Sequence, residues 1–173
     1  MGPYILNNRF DITTGKHAVT DYSTCGCTVQ GNIIEMGSTR SFAVYENAGR
    51  IVVVNNTIIS DVASSIGVWL QSTATPGVIL NNYIDAPNPI FDSFTNTYKD
   101  FNSYSANAEN HGINSDTFPP DFFDDSNNDF RLKPNSPLLN TGLWAIGNST
   151  VIDRGFSSIG AWQRKSLLRK PIQ

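Results

Sequence analysis

The sequence contains few charged residues, two cysteines, two histidines and no long apolar run. Only 16% of its 173 residues are charged while 39% are hydrophobic, which suits short buried strands better than exposed helices. The net charge of −3 argues against the basic face that binding to a nucleic-acid backbone requires. No apolar run approaches the ~20 residues of a membrane span. We therefore expect one domain with neither a nucleic-acid nor a membrane partner.

The scarcity of cysteine and histidine limits disulfide and metal chemistry. The cysteines occur as Cys25-Gly26-Cys27. Residues two apart on a strand have Cα atoms about 6–7 Å apart, near or beyond the disulfide limit. We favour two ordinary thiols over a disulfide or a metal pair, because only His17 and His111 could complete a metal site.

What the sequence does contain is a repeated segment in which one apolar run ends in Asn and another follows. It occurs as PYILNNRF, VQGNIIE, VVVNNTII and VILNNYID. With Asn8, Asn32, Asn56 and Asn82 taken as equivalent, the intervals are 24, 24 and 26 residues. A fixed period in this range indicates a stacked-repeat architecture, so the first half of the chain is predicted to be a solenoid.

Each repeat is predicted to contain three short strands, because helical periodicity is absent and turn residues separate short β-branched and aromatic runs. One strand precedes the Asn, one follows it, and one lies roughly a dozen residues later. The third strands are predicted at residues 17–23, 41–47, 66–72 and 89–94. Equivalent strands of successive coils would then form parallel sheets.

The recurring Asn has two properties that such a coil can use. It tolerates the left-handed conformation that a sharp bend requires, and its amide both donates and accepts hydrogen bonds. Amides stacked at about 4.8 Å per coil would form a ladder along the axis. We therefore favour a structural role for these residues over ligand binding.

These repeats resemble the right-handed parallel β-helix proteins of the pectate-lyase-like superfamily, whose coils carry such a ladder. A second resemblance covers residues 111–142 and 152–163, which look like the closing segment of many bacterial β-helix proteins. Its matching residues are Asp129, Phe130, Arg131, Leu132, Pro134, Ser136, Pro137, Gly142, Asp153, Gly155, Ile159, Gly160, Ala161 and Trp162.

The resemblance implies an all-β, right-handed parallel β-helix of about four coils in residues 1–94. An irregular capping segment in residues 95–163 and a basic tail in residues 164–173 would follow. We expect residues 95–110 to form a loop packed on the side of the helix, and the stretch 118–123 to cover the final coil. The fold specifies activity weakly, because enzymes, tailspikes and adhesins share it.

The resemblance also implies an extracellular or cell- or virion-surface protein that acts on carbohydrate. A polysaccharide lyase or hydrolase is the first hypothesis, and a non-catalytic glycan-binding or structural module, as in phage tailspikes and adhesins, is the alternative. The chain starts within a repeat and without a signal peptide. Because an uncapped coil exposes a sheet edge, we expect either the C-terminal part of a longer protein or self-association through this coil.

Alternation along the third strands predicts an outward row of aromatic residues. If Val68 and Leu70 face inward, Trp69 and Gln71 face outward, and the same pattern places Tyr45 and Asn47 outside. Tyr22 or Thr20 and then Phe91 would extend the row. Sugar rings stack on such faces while amides bond their hydroxyls, so these residues are candidate substrate-binding groups. Cover by the 95–110 loop and an oligomer interface are the competing interpretations.

Acidic and basic residues near the same strands are candidates for catalysis. Asp21 and Glu46 on adjacent coils could act as general acid and base, or hold a calcium ion for a lyase. Arg40 and Arg50 could stabilise the enolate that a lyase forms. No spacing among these residues requires catalysis, and solvated charges at the rim are the competing interpretation.

Two further groups are given structural interpretations. His111 lies in the closing motif, where a structural hydrogen bond is favoured over proton transfer. Asp11, Glu35 and Asp85 follow the Asn positions by three residues and are expected to form an ordinary solvent face.

Overall fold

The computed structural model describes residues 2–13, 17–22, 24–37, 41–71, 77–93, 97–127, 129–139 and 141. Within them the chain forms four successive coils of three strands each. The first two coils contain β1 (Tyr4–Leu6), β2 (Arg9–Ile12), β3 (Val19–Asp21), β4 (Thr28–Gln30), β5 (Ile33–Met36) and β6 (Phe42–Glu46). The next two contain β7 (Val52–Val54), β8 (Thr57–Ser60), β9 (Ile66–Leu70), β10 (Val78–Leu80), β11 (Tyr83–Asp85) and β12 (Asn88–Asp92).

The remaining strands extend the stack and close it with a hairpin. They are β13 (Tyr98–Asp100), β14 (Ser103–Tyr104), β15 (Ile113–Asn114), β16 (Phe122–Asp124) and β17 (Asp129–Leu132). No α-helix occurs in the part of the chain that the structure describes, and no helix there is long and apolar enough to span a membrane.

Equivalent strands of successive coils pair in parallel and form three sheets. Sheet A has the order β1-β4-β7-β10-β13, sheet B the order β2-β5-β8-β11-β14-β15, and sheet C the order β3-β6-β9-β12. Only the hairpin β16–β17 is antiparallel among the pairings of the described residues. The fold predicted from the repeat is confirmed: the protein is a parallel β-helix of about four turns.

The core is a set of apolar columns that run along the axis. Each sheet contributes inward side chains stacked on their equivalents one coil away, and these side chains are fully buried. They are Val29, Val53 and Ile79 in sheet A, Ile34, Ile58 and Ile84 in sheet B, and Val44 and Val68 in sheet C. Each such burial contributes about 1.5–3 kcal/mol to folding, so the stacking of like on like holds the coils in register.

The predicted Asn ladder is present and has one rung more than expected. The side-chain amide nitrogen of Asn8 donates to Oδ1 of Asn32 at 3.2 Å, Asn32 to Asn56 at 3.0 Å, and Asn56 to Asn82 at 2.9 Å. Asn82 in turn donates to Asn102 at 3.0 Å. The backbone N–H of each donor Asn binds the same oxygen as its side chain, so every rung is held twice.

The bend between sheets A and B belongs to the residue before each ladder Asn. Positive φ values occur at these positions, namely Asn7 (55°), Gly31 (69°), Asn55 (54°), Asn81 (57°) and Phe101 (55°). The sequence interpretation had assigned both the bend and the ladder to a single Asn. The structure divides the two roles. Asn or Gly supplies the left-handed backbone at four of these five bends and Phe101 at the fifth, and the following Asn supplies the stacked amide.

Residues 97–104 continue the solenoid and do not form the expected loop. β13 pairs with β10 and β14 pairs with β11, which starts a fifth coil. The sequence pattern fails here because Lys99 takes the position equivalent to Ile79. Its ammonium binds the carboxylate of Asp92 at 2.9 Å, so an ion pair replaces an apolar rung.

The closing hairpin packs on the outer side of sheet B. Phe122 contacts the ring of Tyr83 at 5.4 Å and that of Phe130 at 5.5 Å. Leu132 and Leu138 are buried in the same cluster. The apolar stretch therefore packs on the flank of the third coil and of the fourth, which is the last of the four predicted coils. Gly142, residues 152–163 and the basic tail lie outside the described residues.

Candidate functional site

The predicted aromatic row is in register on sheet C. Thr20, Tyr45, Trp69 and Phe91 pair in sequence across β3, β6, β9 and β12. The ring centroids of Tyr45 and Trp69 are 5.3 Å apart, and those of Trp69 and Phe91 are 5.6 Å apart. Tyr22 lies at the first coil, 5.7 Å from Tyr45. We call Tyr22, Tyr45, Trp69 and Phe91 the aromatic face.

Two further rings support this face. Phe42 contacts Trp69 perpendicularly at 4.5 Å, and His17 stacks on Phe42 at 4.5 Å with 6° between the planes. Burial lowers the pKa of His17, which favours the neutral imidazole in this stack. Sequence reasoning did not include Phe42, although it opens the strand that contains Tyr45.

The members of the aromatic face differ in accessibility. Tyr22 is 64% exposed and Phe91 is 51% exposed, while Trp69 is half-buried. Tyr45 is only 9% exposed, because Tyr22, Phe42 and Trp69 surround it. The expectation of an exposed Tyr45 is therefore corrected. Tyr45 is a buried member of the aromatic face, and the accessible rings are Tyr22 and Phe91 at its two ends.

Polar groups accompany the rings as expected. The Tyr45 hydroxyl donates to Oε1 of Gln71, and the Gln71 side chain is exposed. Asn47 is also exposed, one position beyond β6. The indole N–H of Trp69 is buried without a hydrogen-bond partner among the described residues. The face thus combines apolar ring surface with two amides at its border.

One competing interpretation of the face loses its basis. Cover by the loop 95–110 was one of the two competing interpretations, but Tyr98–Asp100 and Ser103–Tyr104 of this segment lie in sheets A and B as β13 and β14. Tyr22 and Phe91 keep more than half of their surface exposed among the described residues. An interface with another molecule remains the alternative to ligand binding.

The predicted catalytic carboxylates are not on this face. Asp21 and Glu46 are paired in register as expected, in one row with Leu70 and Asp92. That row points inward, since Asp21 is 8% exposed and Glu46 is 1% exposed. Successive side chains of a strand point to opposite sides, so Glu46 lies on the other side of β6 from Tyr45. The prediction of an acid–base pair beside the aromatic row is corrected.

Two of the inward carboxylates, Glu46 and Asp92, make hydrogen bonds or ion pairs that stabilise the fold. Oε1 of Glu46 accepts hydrogen bonds from the backbone N–H groups of Ala48 (2.7 Å) and Gly49, which closes the turn after β6. Burial raises the pKa of Glu46, these two N–H donors oppose the shift, and Asp21 adds to it. The Asp92 carboxylate binds Lys99 at 2.9 Å and the Thr97 hydroxyl at 3.2 Å.

The structure describes one of the two predicted cations. Arg50 is exposed at the corner after β6, and Arg40 lies outside the described residues. Within the described ranges no three His, Cys, Asp or Glu side chains are arranged to hold a metal ion. The residues described here therefore do not fit the calcium site considered for a lyase.

A groove that sequence reasoning missed lies between the outer face of sheet B and the closing hairpin. Its volume is about 600 Å³. Its walls combine carboxylates with aromatic and proline side chains, including Asp11, Glu35, Asp61, Asp85, Tyr83 and Phe122. Asp11, Glu35 and Asp85 had been interpreted as a plain solvent face. The hairpin turns that face into a groove, and no local sequence pattern indicates where a distant hairpin will pack.

The carboxylates of the groove differ in their environments. Burial raises the pKa of Glu35, the guanidinium of Arg9 opposes the shift, and Asp11 adds to it. Arg9 also donates a hydrogen bond to Oε1 of Glu35. The Tyr83 hydroxyl donates to Asp85 at 3.3 Å. Burial thus favours the protonated form of Glu35.

No protein-family model matches the chain, and comparisons with curated proteins and with solved structures found no match. The parallel β-helix is therefore established by the strand pairing alone, and membership of the pectate-lyase-like superfamily is a proposal.

Proposed function

We propose that this protein is a carbohydrate-binding β-helix module of the pectate-lyase-like kind, located outside the cell or on a cell or virion surface. The observation that carries the proposal is the aromatic face, in which Tyr45, Trp69 and Phe91 occupy one outward register position on three consecutive coils. The ligand would be an extended polysaccharide lying along the solenoid axis.

The geometry of the face suits such a ligand. Neighbouring strands are about 4.8 Å apart, so the row from Tyr22 to Phe91 spans roughly 14 Å over three intervals. Apolar sugar faces would stack on the exposed rings, while Asn47 and Gln71 would bond hydroxyl groups at the border. The edge-to-face ring contacts hold the rings in place before binding, which lowers the entropy lost on association.

For the aromatic face, polysaccharide binding is better supported than polysaccharide cleavage. A polysaccharide on that face would be separated by strand β6 from the side chain of Glu46, and Asp21 is buried beside it. A general acid must reach the glycosidic oxygen within hydrogen-bond distance. The described part of the aromatic face offers no carboxylate pair for that step.

Retention on a panel of insoluble polysaccharides tests this function. We expect the wild-type protein to be retained on at least one, and Phe91→Ala with Tyr22→Ala to weaken retention about tenfold, as two ring contacts of about 0.5–1.5 kcal/mol each predict. Phe118→Ala is the matched control, because Phe118 is an exposed aromatic residue outside this face. Equal retention of the double variant and the control, with unchanged thermal unfolding, would refute the assignment.

A second candidate function is glycoside hydrolysis in the groove on sheet B. The observation that favours it is the groove itself, in which Glu35, whose pKa burial raises, shares the walls with the carboxylates of Asp11 and Asp85. Glu35 would donate a proton to the leaving oxygen, and a second carboxylate of the groove would act as the base or nucleophile. The aromatic wall of Tyr83 and Phe122 would hold the sugar.

Product analysis separates the enzymatic hypotheses. A hydrolase releases reducing ends without unsaturated product, while a lyase produces an unsaturated uronate that absorbs ultraviolet light. We expect Glu35→Gln to abolish any release of reducing ends and Asp116→Asn, an exposed substitution outside the groove, to leave it unchanged. Ultraviolet absorbance from uronate substrates would favour a lyase, and no product from either assay would reject catalysis by this chain.

A further inference from the structure

We propose that the aromatic face selects acetylated over unacetylated sugars, and that Tyr45 confers this selectivity by holding the side-chain amide of Gln71 with its NH₂ group toward the ligand. The proposal rests on the carbohydrate function proposed above and names the class of ligand. Gln71 would contact the acetyl carbonyl, and Tyr45 would act as its positioning residue.

A row of polar side chains runs beside the rings, one on each coil. Its members are the residues that directly follow β3, β6, β9 and β12, and all are exposed, namely Tyr22, Asn47, Gln71 and Ser93. The backbone N–H groups of the last three donate to carbonyl oxygens of the preceding coil, at 3.0, 2.8 and 3.2 Å. The parallel register therefore continues through this row. Because alternate residues of a strand point the same way, the row lies on the side of sheet C that bears Tyr45, Trp69 and Phe91.

The orientation of the Gln71 amide is fixed by Tyr45. The Tyr45 hydroxyl donates to Oε1 of Gln71. Tyr45 is 9% exposed and three rings enclose it, so its hydroxyl has little freedom to move. Nε2 of Gln71 makes no hydrogen bond within the described residues, and the side chain is exposed. The amide thus presents its two N–H donors to the ligand, while its oxygen already binds Tyr45.

The phenol of Tyr45 keeps its proton for this contact. Burial raises the pKa of Tyr45, and Tyr22 and Glu46 add to the shift. Since an unperturbed tyrosine titrates only at about pH 10, the hydroxyl is neutral at physiological pH. A neutral hydroxyl can hold the carbonyl end of the amide by donating to it, which turns the NH₂ end outward.

The rings beside Gln71 offer apolar surface. Trp69 lies two residues before Gln71, and its indole N–H is buried without a hydrogen-bond partner among the described residues. Phe91 on the next coil contacts Trp69 at 5.6 Å and is 51% exposed. A ligand at this point therefore meets N–H donors next to the carbon surface of two rings.

An acetyl group matches this combination of surfaces. Its carbonyl oxygen would accept a hydrogen bond from Nε2 of Gln71, while its methyl group packs on Trp69 and Phe91. A hydroxyl at the same position brings no apolar surface, and the Gln71 oxygen that could accept its proton already binds Tyr45. One net hydrogen bond and one buried methyl group each change affinity a few-fold, so we expect a preference of about tenfold for the acetylated form.

Affinity electrophoresis with matched polymers tests the selectivity. The probes are acetylated xylan and acetylated glucomannan, each compared with the same polymer after mild alkali has removed its acetyl esters. The backbone and its charge stay the same within each pair. For the wild-type protein we expect about tenfold tighter binding to the acetylated form of at least one polymer.

Two variants separate the donor from the residue that orients it. Gln71→Glu keeps an oxygen for the Tyr45 hydroxyl but replaces the outward NH₂ with a carboxylate oxygen, so the preference should disappear. Tyr45→Phe keeps the ring and removes the hydroxyl, so the preference should fall while binding of the deacetylated polymer stays. Asn135→Asp makes the same change of charge at an exposed amide outside the face and should keep the wild-type preference.

A measurement without ligand tests the positioning role directly. The ¹⁵N relaxation of the Gln71 Nε2 group should report a more mobile amide in Tyr45→Phe than in the wild type. Thermal unfolding of each variant shows whether the fold is intact, and Gln71→Glu tests the selectivity independently of any effect of Tyr45→Phe on folding.

The outcomes distinguish this inference from the proposed function. Equal binding of acetylated and deacetylated polymers, or an unchanged preference in Gln71→Glu, overturns the selectivity even where the rings are required for retention on the polysaccharide panel. An equally rigid Gln71 amide with an unchanged preference in Tyr45→Phe overturns the role of Tyr45. Absence of binding to both acetylated polymers overturns the inference, and the panel alone then decides whether the protein binds carbohydrate.

Discussion

Asn55 and Asn56 are adjacent and chemically identical, yet they perform different tasks in the third coil. Asn55 has a φ of 54° and turns the chain from sheet A to sheet B. Asn56 is fully buried, and its side chain binds Asn82, Val54 and Val29. One residue is selected for its backbone and the other for its amide.

Substitutions at Asn55 and Asn56 should therefore reduce the free energy of unfolding for different reasons and by different amounts. Asn55→Gly should cost less than about 1 kcal/mol, because Gly adopts positive φ freely, whereas Asn55→Ala should cost about 1–2 kcal/mol. Asn56→Ala should cost at least about 3 kcal/mol, since it leaves several buried groups without partners. Chemical unfolding measures all three, and a tolerated Asn56→Ala would contradict the structural role of the ladder.

The ladder ends at a carboxylate that sequence reasoning did not identify. Asn102 donates from Nδ2 to both carboxylate oxygens of Glu109, at 3.0 and 3.1 Å, and from its backbone N–H at 3.1 Å. Every rung donates toward this end, so an acceptor is required there. Burial raises the pKa of Glu109, while the hydrogen bonds from Asn102 and Tyr104 oppose the shift and favour the carboxylate.

We expect Glu109→Gln to destabilise the protein by about 1–3 kcal/mol, because an amide turns an NH₂ group toward the Asn102 donors. Thermal unfolding measures the effect. Asp85→Asn, at an exposed carboxylate in the fourth coil, is the control and should change the midpoint little. A Glu109→Gln midpoint equal to that of the control would show that the ladder needs no anionic end.

Gly67 lies where a strand of sheet C passes close to the core. A Cβ added there would lie 2.5 Å from Cγ2 of Ile84 and 2.5 Å from the backbone oxygen of Pro89. Gly67→Ala should therefore shift β12 away from β9 and cost about 1–3 kcal/mol by overpacking.

Gly37→Ala is the matched control for this substitution. Among the described residues, its Cβ would meet only the backbone oxygen of Ile12, at an ordinary 3.6 Å. Chemical unfolding of both variants should show a loss for Gly67→Ala alone. Equal stabilities would mean that β9 and β12 separate without cost.

His111 and Asp100 form the structural contact expected for the closing motif. Oδ2 of Asp100 lies 2.8 Å from Nδ1 of His111, and Oδ1 accepts the backbone N–H groups of His111 and Phe101. Burial would raise the pKa of Asp100, but these hydrogen bonds outweigh it and hold the pKa below its usual value. The His111 ring also stacks on Phe101 at 4.7 Å.

The sign of this shift predicts how stability responds to acid. Asp100 stabilises the fold above the pKa of an unfolded Asp, near 3.9, and the contribution is lost as pH falls through the lower folded value. His111→Ala removes the side-chain bond, so the acid unfolding midpoint should move to higher pH. Phe118→Ala, which removes an exposed ring that does not titrate, is the control and should leave that midpoint in place. An unchanged midpoint in His111→Ala would assign the shift to the backbone N–H groups alone.

The sequence by itself determined the repeat, the three strands per coil, the ladder and the alignment of the aromatic row. These features follow from short-range chemistry that recurs with the period, since each coil must bury the same positions and bond the same amides. The same alternation also predicts the position of Glu46: if Tyr45 faces outward, its neighbour Glu46 must face inward. Applied strictly, that rule removes Glu46 from the aromatic face.

Only the tertiary structure decided the remaining features. Tyr45 is buried because two rings from the neighbouring coils and Phe42 of its own strand enclose it. Lys99 is accepted in a core column because Asp92 lies within reach. The groove on sheet B exists because a hairpin from residues 122–132 returns to pack on strands far earlier in the chain. Such contacts depend on the shape and charge of surfaces that form only after the coils have stacked, and no periodic pattern in the sequence contains them.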